Sequence, residues 1–120
     1  MQTFAYERTE NGARILRCFS CDKRVEIPPQ VDGLLVREIG DYTFSAHSDE
    51  KVLEQGIAQG KIKIAEGSFK ERQPLIGERV EEVVLPPTVE SVGAYCFYNC
   101  SRLSELKFTS SINDWGRGAF

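Results

Sequence analysis

The amino-acid sequence predicts an α/β repeat protein, a solenoid of short strands and helical or 3-10 turns with a small N-terminal cap. Two observations support this prediction. The apolar positions of residues 79–93 recur 23 positions later in residues 102–116, and each copy has the pattern of one short strand followed by one turn. Because such a unit cannot bury both of its faces alone, the copies are expected to stack on one another.

Composition limits the classes of function that fit this chain. Its 120 residues are 41% hydrophobic and 28% charged, which is typical of one folded domain. With 15 Lys and Arg against 18 Asp and Glu, the net charge of −3 gives no electrostatic attraction to nucleic acid. No apolar run approaches the ~20 residues of a membrane span, and residues 1–8 lack the pattern of a secretory signal. The sequence as written therefore predicts a cytoplasmic protein without membrane insertion, and a surface location if a signal was removed.

The chain divides into a cap and a set of repeats within a single domain. Residues 1–24 are expected to form a small antiparallel cap, and residues 25–120 are expected to form about four repeats of roughly 23 residues. Residues 25–31 resemble residues 83–89, and residues 39–44 and 64–69 both match residues 92–97. A phenylalanine recurs as the anchor of each copy, at Phe44, Phe69, Phe97 and Phe120. The intervening residues 45–62 are poorly patterned.

Each repeat is predicted to contain a strand that ends at proline. The apolar residues Val80, Val83 and Leu85 favour a short strand, and Pro86 and Pro87 end it because proline has no N–H to donate to a sheet. Residues 94–100 then fit a helical turn or a 3-10 turn.

These residues together resemble a known family. The match is to BspA-type leucine-rich repeats of bacterial proteins, and its elements are Leu85-Pro86-Pro87, Val89, Val92-Gly93, Phe97, Cys100, Leu103 and Leu106. The resemblance implies a leucine-rich repeat solenoid and a noncatalytic, protein-binding function with no cofactor. It also implies an alternative, since such repeats form longer surface or adhesion arrays, for which this chain would be an N-terminal structural cap.

The cysteines leave a further alternative open. Cys18 and Cys21 are spaced as a zinc or redox pair, and Cys96 and Cys100 have a similar spacing. Cys100 occupies a position where the family pattern has a buried thiol, so packing is the favoured interpretation, and a zinc-dependent or redox regulatory module is the alternative. His47, the single histidine, is interpreted as a solvated loop residue rather than part of a catalytic triad.

Two surfaces are predicted to bind proteins. The residues between the inward-facing positions of the strands should form one exposed face, and they are Glu81, Glu82, Val84, Ser104, Glu105 and Lys107. An open surface of this kind favours recognition of an unidentified protein partner over catalysis, which needs a concave pocket. Large apolar residues near the C-terminus, Phe108, Ile112, Trp115 and Phe120, predict self-association as a twofold dimer.

Overall fold

The protein is described by a computed structural model that covers residues 3–19, 23–44, 50–65, 80–97, 100, 102–108, 112 and 114–118. The strands are β1 (Thr3–Arg8), β2 (Ala13–Phe19), β3 (Arg24–Glu26), β4 (Gln30–Val31), β5 (Leu34–Ile39), β6 (Ile62–Ala65), β7 (Glu82–Val84), β8 (Ser91–Val92), β9 (Glu105–Lys107) and β10 (Asp114–Trp115). One helix, α1 (Glu50–Ala58), lies between β5 and β6. Strands therefore dominate the described part of the chain.

Two stacks of short parallel strands form the centre of the fold. In the first stack, β7 pairs with β3 on one side and with β9 on the other. In the second stack, β8 pairs with β5 and with β10 in the same way. We call each pair of equivalent strands a level: β3 and β5 form level one, β7 and β8 level two, and β9 and β10 level three. The register places Val25 beside Val83 and Val83 beside Leu106, which confirms both the weak match at residues 25–31 and the 23-residue repeat.

The strands of the first stack alternate between the core and the surface. Val25 and Val83 are fully buried, whereas the residues that flank them along each strand are more exposed. This alternation follows from the period of two residues in an extended chain. The strand predicted at residues 80–85 is found at Glu82–Val84, and it ends before Pro86 as the sequence predicts.

A main-chain ladder holds the levels of the second stack together. The backbone N–H of Gly40 donates to the carbonyl of Ile15, that of Gly93 to Ile39, and that of Gly116 to Val92, each at 2.7 Å. A Cβ atom on Gly93 would lie 2.5 Å from the backbone nitrogen of Asp41. The repeated glycine therefore allows the main chains of adjacent levels to approach closely.

The segment after this glycine differs from the sequence-based prediction. Residues 94–97 form a turn rather than a helical or 3-10 turn, because Tyr95 has a left-handed φ of 53°. Tyr42 in level one has the equivalent φ of 57°, and Gly118 in level three has 63°. A residue with positive φ interrupts the helical hydrogen-bond pattern, so the repeat reverses direction through a left-handed residue at each level.

The hairpin of β1 and β2 extends the sheet beyond level one. β1 and β2 pair antiparallel, and β2 pairs in parallel with β5. This arrangement places an antiparallel hairpin at the level-one end of the second stack.

The structure places the start of the second predicted copy of the repeat outside the two stacks. Residues 64 and 65 were matched to the Val92-Gly93 pair, but they belong to β6, which pairs antiparallel with β1 on the far side of the hairpin. The poorly patterned residues before it contain α1, whose Leu53 packs with Ala5 and Ile62 in a second, smaller core. Thus β6 and α1 form an insertion between levels one and two, and Phe69 and Phe120, two of the four predicted anchors, lie outside the described residues.

Candidate functional site

The outward side of the first stack forms one continuous polar surface. At its centre, Arg24, Glu82 and Glu105 stand side by side on adjacent strands, and Glu26, Val84 and Lys107 form a second row next to them. A third row precedes the strands, where the main chains of Lys23, Glu81 and Ser104 are linked by hydrogen bonds. We call these nine residues the strand face. The strand face contains all six residues that the sequence predicted for protein binding, and the structure brings them together.

The level-one part of this surface was not predicted from the sequence. The strand-face residues of one level form a column that crosses the three rows. Lys23, Arg24 and Glu26 form the level-one column, and they were not among the predicted residues. The signal was present in the sequence, because the match of Val25 to Val83 also aligns Arg24 with Glu82 and Glu26 with Val84. The weaker similarity of the first copy hid this alignment.

Ion pairs connect the three columns of the strand face. Glu82 Oε2 accepts a hydrogen bond from Arg24 Nε at 2.6 Å and lies 3.7 Å from Lys107 Nζ. Lys107 Nζ also lies 3.5 Å from a Glu105 oxygen, and Lys23 Nζ lies 3.6 Å from a Glu81 oxygen. The acidic residues therefore have cationic neighbours on the same surface, and the face presents both signs of charge.

Glu82 is the centre of this network, and its electrostatics reflect that position. The hydrogen bond from Arg24 is the main cause that lowers the pKa of the Glu82 carboxyl below its ordinary value. A carboxylate held in its ionised form is suited to binding a partner's cationic or N–H groups, and it is poorly suited to exchange protons near neutral pH.

Apolar side chains gather at the level-three end of the stacks. The ring of Phe108, which is 43% exposed, lies against the indole ring of Trp115 edge-on at 5.4 Å. Leu103, Leu106, Ile112 and Trp115 are only partly buried, although they pack against the main core. Three of the four residues predicted for self-association are thus described here, and Phe120 lies outside the described residues.

The cysteines occupy packing positions where the structure describes them. Cys18 and Cys96 are buried and Cys100 is partly buried. Burial raises the pKa of the Cys100 thiol to about 11 and raises that of Cys96 as well. The Cys100 thiol also donates a hydrogen bond to the carbonyl of Phe44 at 3.1 Å. A raised pKa disfavours the thiolate form that binds zinc or reacts with disulfides. Cys21 and His47 lie outside the described residues.

A second concave surface, which the sequence did not suggest, runs along the second stack. Its cavity of about 580 Å³ is floored by Gly40, Gly93 and Gly116, and Glu38, Ser91 and Asp114 line one side in register. Arg14 spans part of it, since its guanidinium lies 2.5 Å from a Glu7 oxygen and 3.2 Å from a Glu38 oxygen. Carboxylate side chains and the main chain of the glycines line this groove.

Another cavity of about 630 Å³ lies beside the hairpin. The Tyr6 hydroxyl donates a hydrogen bond to Asp32, and Arg8, Lys61 and Lys63 also line this space. Burial, and secondarily the Asp32 carboxylate, raises the pKa of Tyr6 to about 12. Tyr6 is therefore a neutral hydrogen-bond donor at physiological pH.

Within the described residues, no helix is long and apolar enough to cross a membrane, since α1 has nine residues.

Comparisons with known proteins agree with this architecture. A family model described as "BspA type Leucine rich repeat region (6 copies)" matches residues 63–120. No curated protein sequence matches the chain. The family match begins within β6 and covers levels two and three, which carry the clearest copies of the repeat.

Two solved structures resemble this fold. The T. pallidum leucine-rich repeat protein (TpLRR) is 22% identical with a TM-score of 0.59, and the match covers 87% of this chain and 36% of that one. A leucine-rich cell surface protein from Faecalibacterium prausnitzii A2-165 is 22% identical with a TM-score of 0.65, and the match covers 98% of this chain and 26% of that one. This chain therefore spans about a third and about a quarter of the lengths of those proteins. The family match identifies residues 63–120 of this chain as a BspA-type leucine-rich repeat region, and the repeating strands, glycines and left-handed turns agree with it.

Proposed function

We propose that this chain is a noncatalytic protein-interaction module that recognises its partner through the strand face. The observation that carries the proposal is the register of the first stack, which aligns outward side chains from three levels into rows. Adjacent strands lie about 4.8 Å apart, so these rows present charges at a regular spacing. A partner with the complementary spacing of charges could contact all three levels at once.

The electrostatics of the strand face also support recognition. Exposed ion pairs contribute little to stability, so the paired side chains can exchange their partners for those of an incoming protein at small cost. Val84 offers a partly buried apolar contact within this charged surface. Protein interfaces usually combine apolar and polar contacts in this way.

The larger architecture belongs to the same proposal. We infer that the stacked levels form a solenoid within one domain and that residues 1–24 act as its cap, since the hairpin of β1 and β2 occupies the level-one end. The lengths of the two solved relatives favour a second role, in which the chain is the N-terminal structural cap of a longer array that displays binding surfaces.

A photo-crosslinking experiment tests the proposed surface. A photoreactive amino acid at Val84 should cross-link the partner in lysate of the source organism, and the same group at Gln59, which is exposed after α1, should not. The partner identified in this way is then purified for direct binding measurements.

The binding measurement uses two variants with the same change of charge. Glu81→Lys with Val84→Lys should weaken binding at least tenfold, whereas Glu10→Lys with Gln59→Lys, at exposed sites away from the strand face, should leave it unchanged. Equal affinities for the two double variants would move the contact surface away from the strand face and overturn the proposal.

A further inference from the structure

The outer edge of β9 has the features of an unpaired sheet edge. Within the described part of the chain, the first stack has the order β3, β7, β9, and no strand pairs with the far side of β9. The Glu105 N–H donates to the Glu81 carbonyl, and the Lys107 carbonyl accepts a hydrogen bond from the Leu85 N–H. Because these groups alternate along a strand, the N–H and carbonyl of Leu106 point away from β7. They are positioned to pair with another strand.

The apolar side chains of level three are less covered than their equivalents. Val25 and Val83 are fully buried in levels one and two, whereas Leu106 at the same position is only partly buried. The same difference separates Val92, which is 2% exposed, from Trp115 in the second stack. A strand added to the edge of β9 would therefore also bury apolar surface next to the new hydrogen bonds.

The charges on β9 point to a second copy of this strand as the occupant. The sequence of β9 is Glu105-Leu106-Lys107, with Glu105 and Lys107 on the strand face and more than half exposed. When two such strands pair antiparallel about a twofold axis at Leu106, each Glu105 stands opposite the partner's Lys107. Opposite charges across an antiparallel pair are stabilising and like charges are destabilising. Parallel pairing in register would instead oppose each residue with itself.

The other outer edge of the first stack, β3, is a weaker candidate because its apolar residues are already covered. β3 has a similar charge pattern, Arg24-Val25-Glu26, but Val25 and Ile27 are already buried within the chain. Pairing at β3 would therefore gain little apolar burial.

We propose that two copies of this chain associate through an antiparallel, twofold pairing of β9 with β9, with Leu106 opposite Leu106 and Glu105 opposite Lys107. This inference does not depend on the proposed function, because it uses the main-chain edge rather than the strand face. The isologous contact closes on itself, so the product is a dimer rather than a filament. Phe108 follows Lys107 directly in the chain, and its ring, which contacts Trp115, is available to extend the apolar contact.

Charge exchange at β9 gives a direct test by sedimentation equilibrium at low ionic strength. The wild type should dimerise, and Glu105→Lys alone and Lys107→Glu alone should each raise the dissociation constant at least tenfold, because both cross-strand pairs become repulsive. The double variant Glu105→Lys with Lys107→Glu should restore the dimer. An equimolar mixture of the two single variants should form a heterodimer.

Controls separate pairing from general effects of charge or folding. Glu10→Lys makes the same charge change on the β1–β2 turn and should dimerise as the wild type does, and far-UV circular dichroism should show the same fold for all variants. A wild type that remains monomeric at millimolar concentration would overturn the proposal. A dimer that neither weakens in the single variants nor re-forms in the mixture would overturn it equally.

Discussion

The rings of Phe44 and Phe97 lie parallel, with their centroids 5.2 Å apart and an interplanar angle of 2°. Phe44 belongs to level one and Phe97 to level two, and both rings are almost completely buried. These two phenylalanines thus fill the space between levels one and two and also hold the two levels together through ring contact.

Replacing Phe97 with alanine should lower the free energy of unfolding by about 3–5 kcal/mol, since it removes a buried aromatic side chain and its ring contact. Phe108→Ala is the matched control, because that ring is 43% exposed, and it should cost less than about 1 kcal/mol. Urea titrations at low protein concentration measure both values. Similar urea midpoints for the two variants would contradict the role of Phe97 as an anchor between levels.

Gly93→Ala should destabilise the protein by about 3 kcal/mol, because the new methyl group would meet the main chain of Asp41 and Gly40. Gly33→Ala is the comparison. Gly33 has a φ of 81° and nothing within 4 Å of the new methyl group, so only backbone strain of about 1 kcal/mol is expected. Thermal unfolding of both variants tests the difference, and equal costs would show that the close approach of levels is not required.

The stability of the protein should fall as the pH rises above about 8.5, the ordinary pKa of a thiol in an unfolded chain. Burial raises the pKa of Cys96 in the folded state, so the folded protein retains this proton more strongly than the unfolded chain does. The contribution is complete below pH 8.5, and above it each further pH unit costs about 1.4 kcal/mol until the folded pKa is reached.

Urea unfolding at pH 7.5 and pH 9.5 measures this dependence on the Cys96 thiol. Cys96→Ala should reduce the loss of stability between the two values, and the exposed-site variant Glu10→Gln should not change it. An unchanged loss in Cys96→Ala would assign the pH dependence to other groups.

Neutralising Glu82 should weaken the ion pairs of the strand face. Glu82→Gln removes the carboxylate that faces Arg24 and Lys107, and we expect a small loss of stability at low salt. Because salt screens exposed charges, the difference from the wild type should shrink at 1 M NaCl. Chemical denaturation by urea at both salt concentrations is the measurement, with Glu10→Gln as the control. A difference that does not depend on salt would show that the Glu82 carboxyl acts through packing.

The sequence predicted the parts of the fold that repeat. Val83, Leu106 and Gly93 have equivalents at fixed spacing, so their register and inward direction could be read from the chain alone. Ile64 could not be placed in this way, because a local match to Val92 does not show that β6 pairs with β1, which is a contact between distant residues.

The helix α1 escaped prediction for a different reason. It contains Gly56, a poor helix former, and few apolar positions mark its buried side. The structure explains the glycine, since a Cβ atom there would lie 2.2 Å from the end of the Ile62 side chain. The tertiary contact with β6 thus overrides the local helix propensity.

The candidate site was predictable to the same extent as the fold. Glu82, Glu105 and Lys107 were found because their levels follow the 23-residue period. The ion pairs between columns could not be predicted, since they depend on which long side chains reach each other across strands. The acidic groove along the second stack was also missed, because Glu38 and Asp114 become neighbours of Ser91 only when the levels are stacked.

The insertion between levels one and two has a consequence for the order of folding. From Phe97 to Leu103 the chain needs only six steps to begin level three, whereas from Phe44 to Val80 it needs 36. Closing the longer connection costs about 1.6 kcal/mol more in chain entropy, a penalty that arises before any contact between the levels forms. Levels two and three should therefore assemble early, and the hairpin, level one and α1 should join this nucleus afterwards. Mutations in β7 and β9 would then slow folding, while mutations in β5 would mainly speed unfolding.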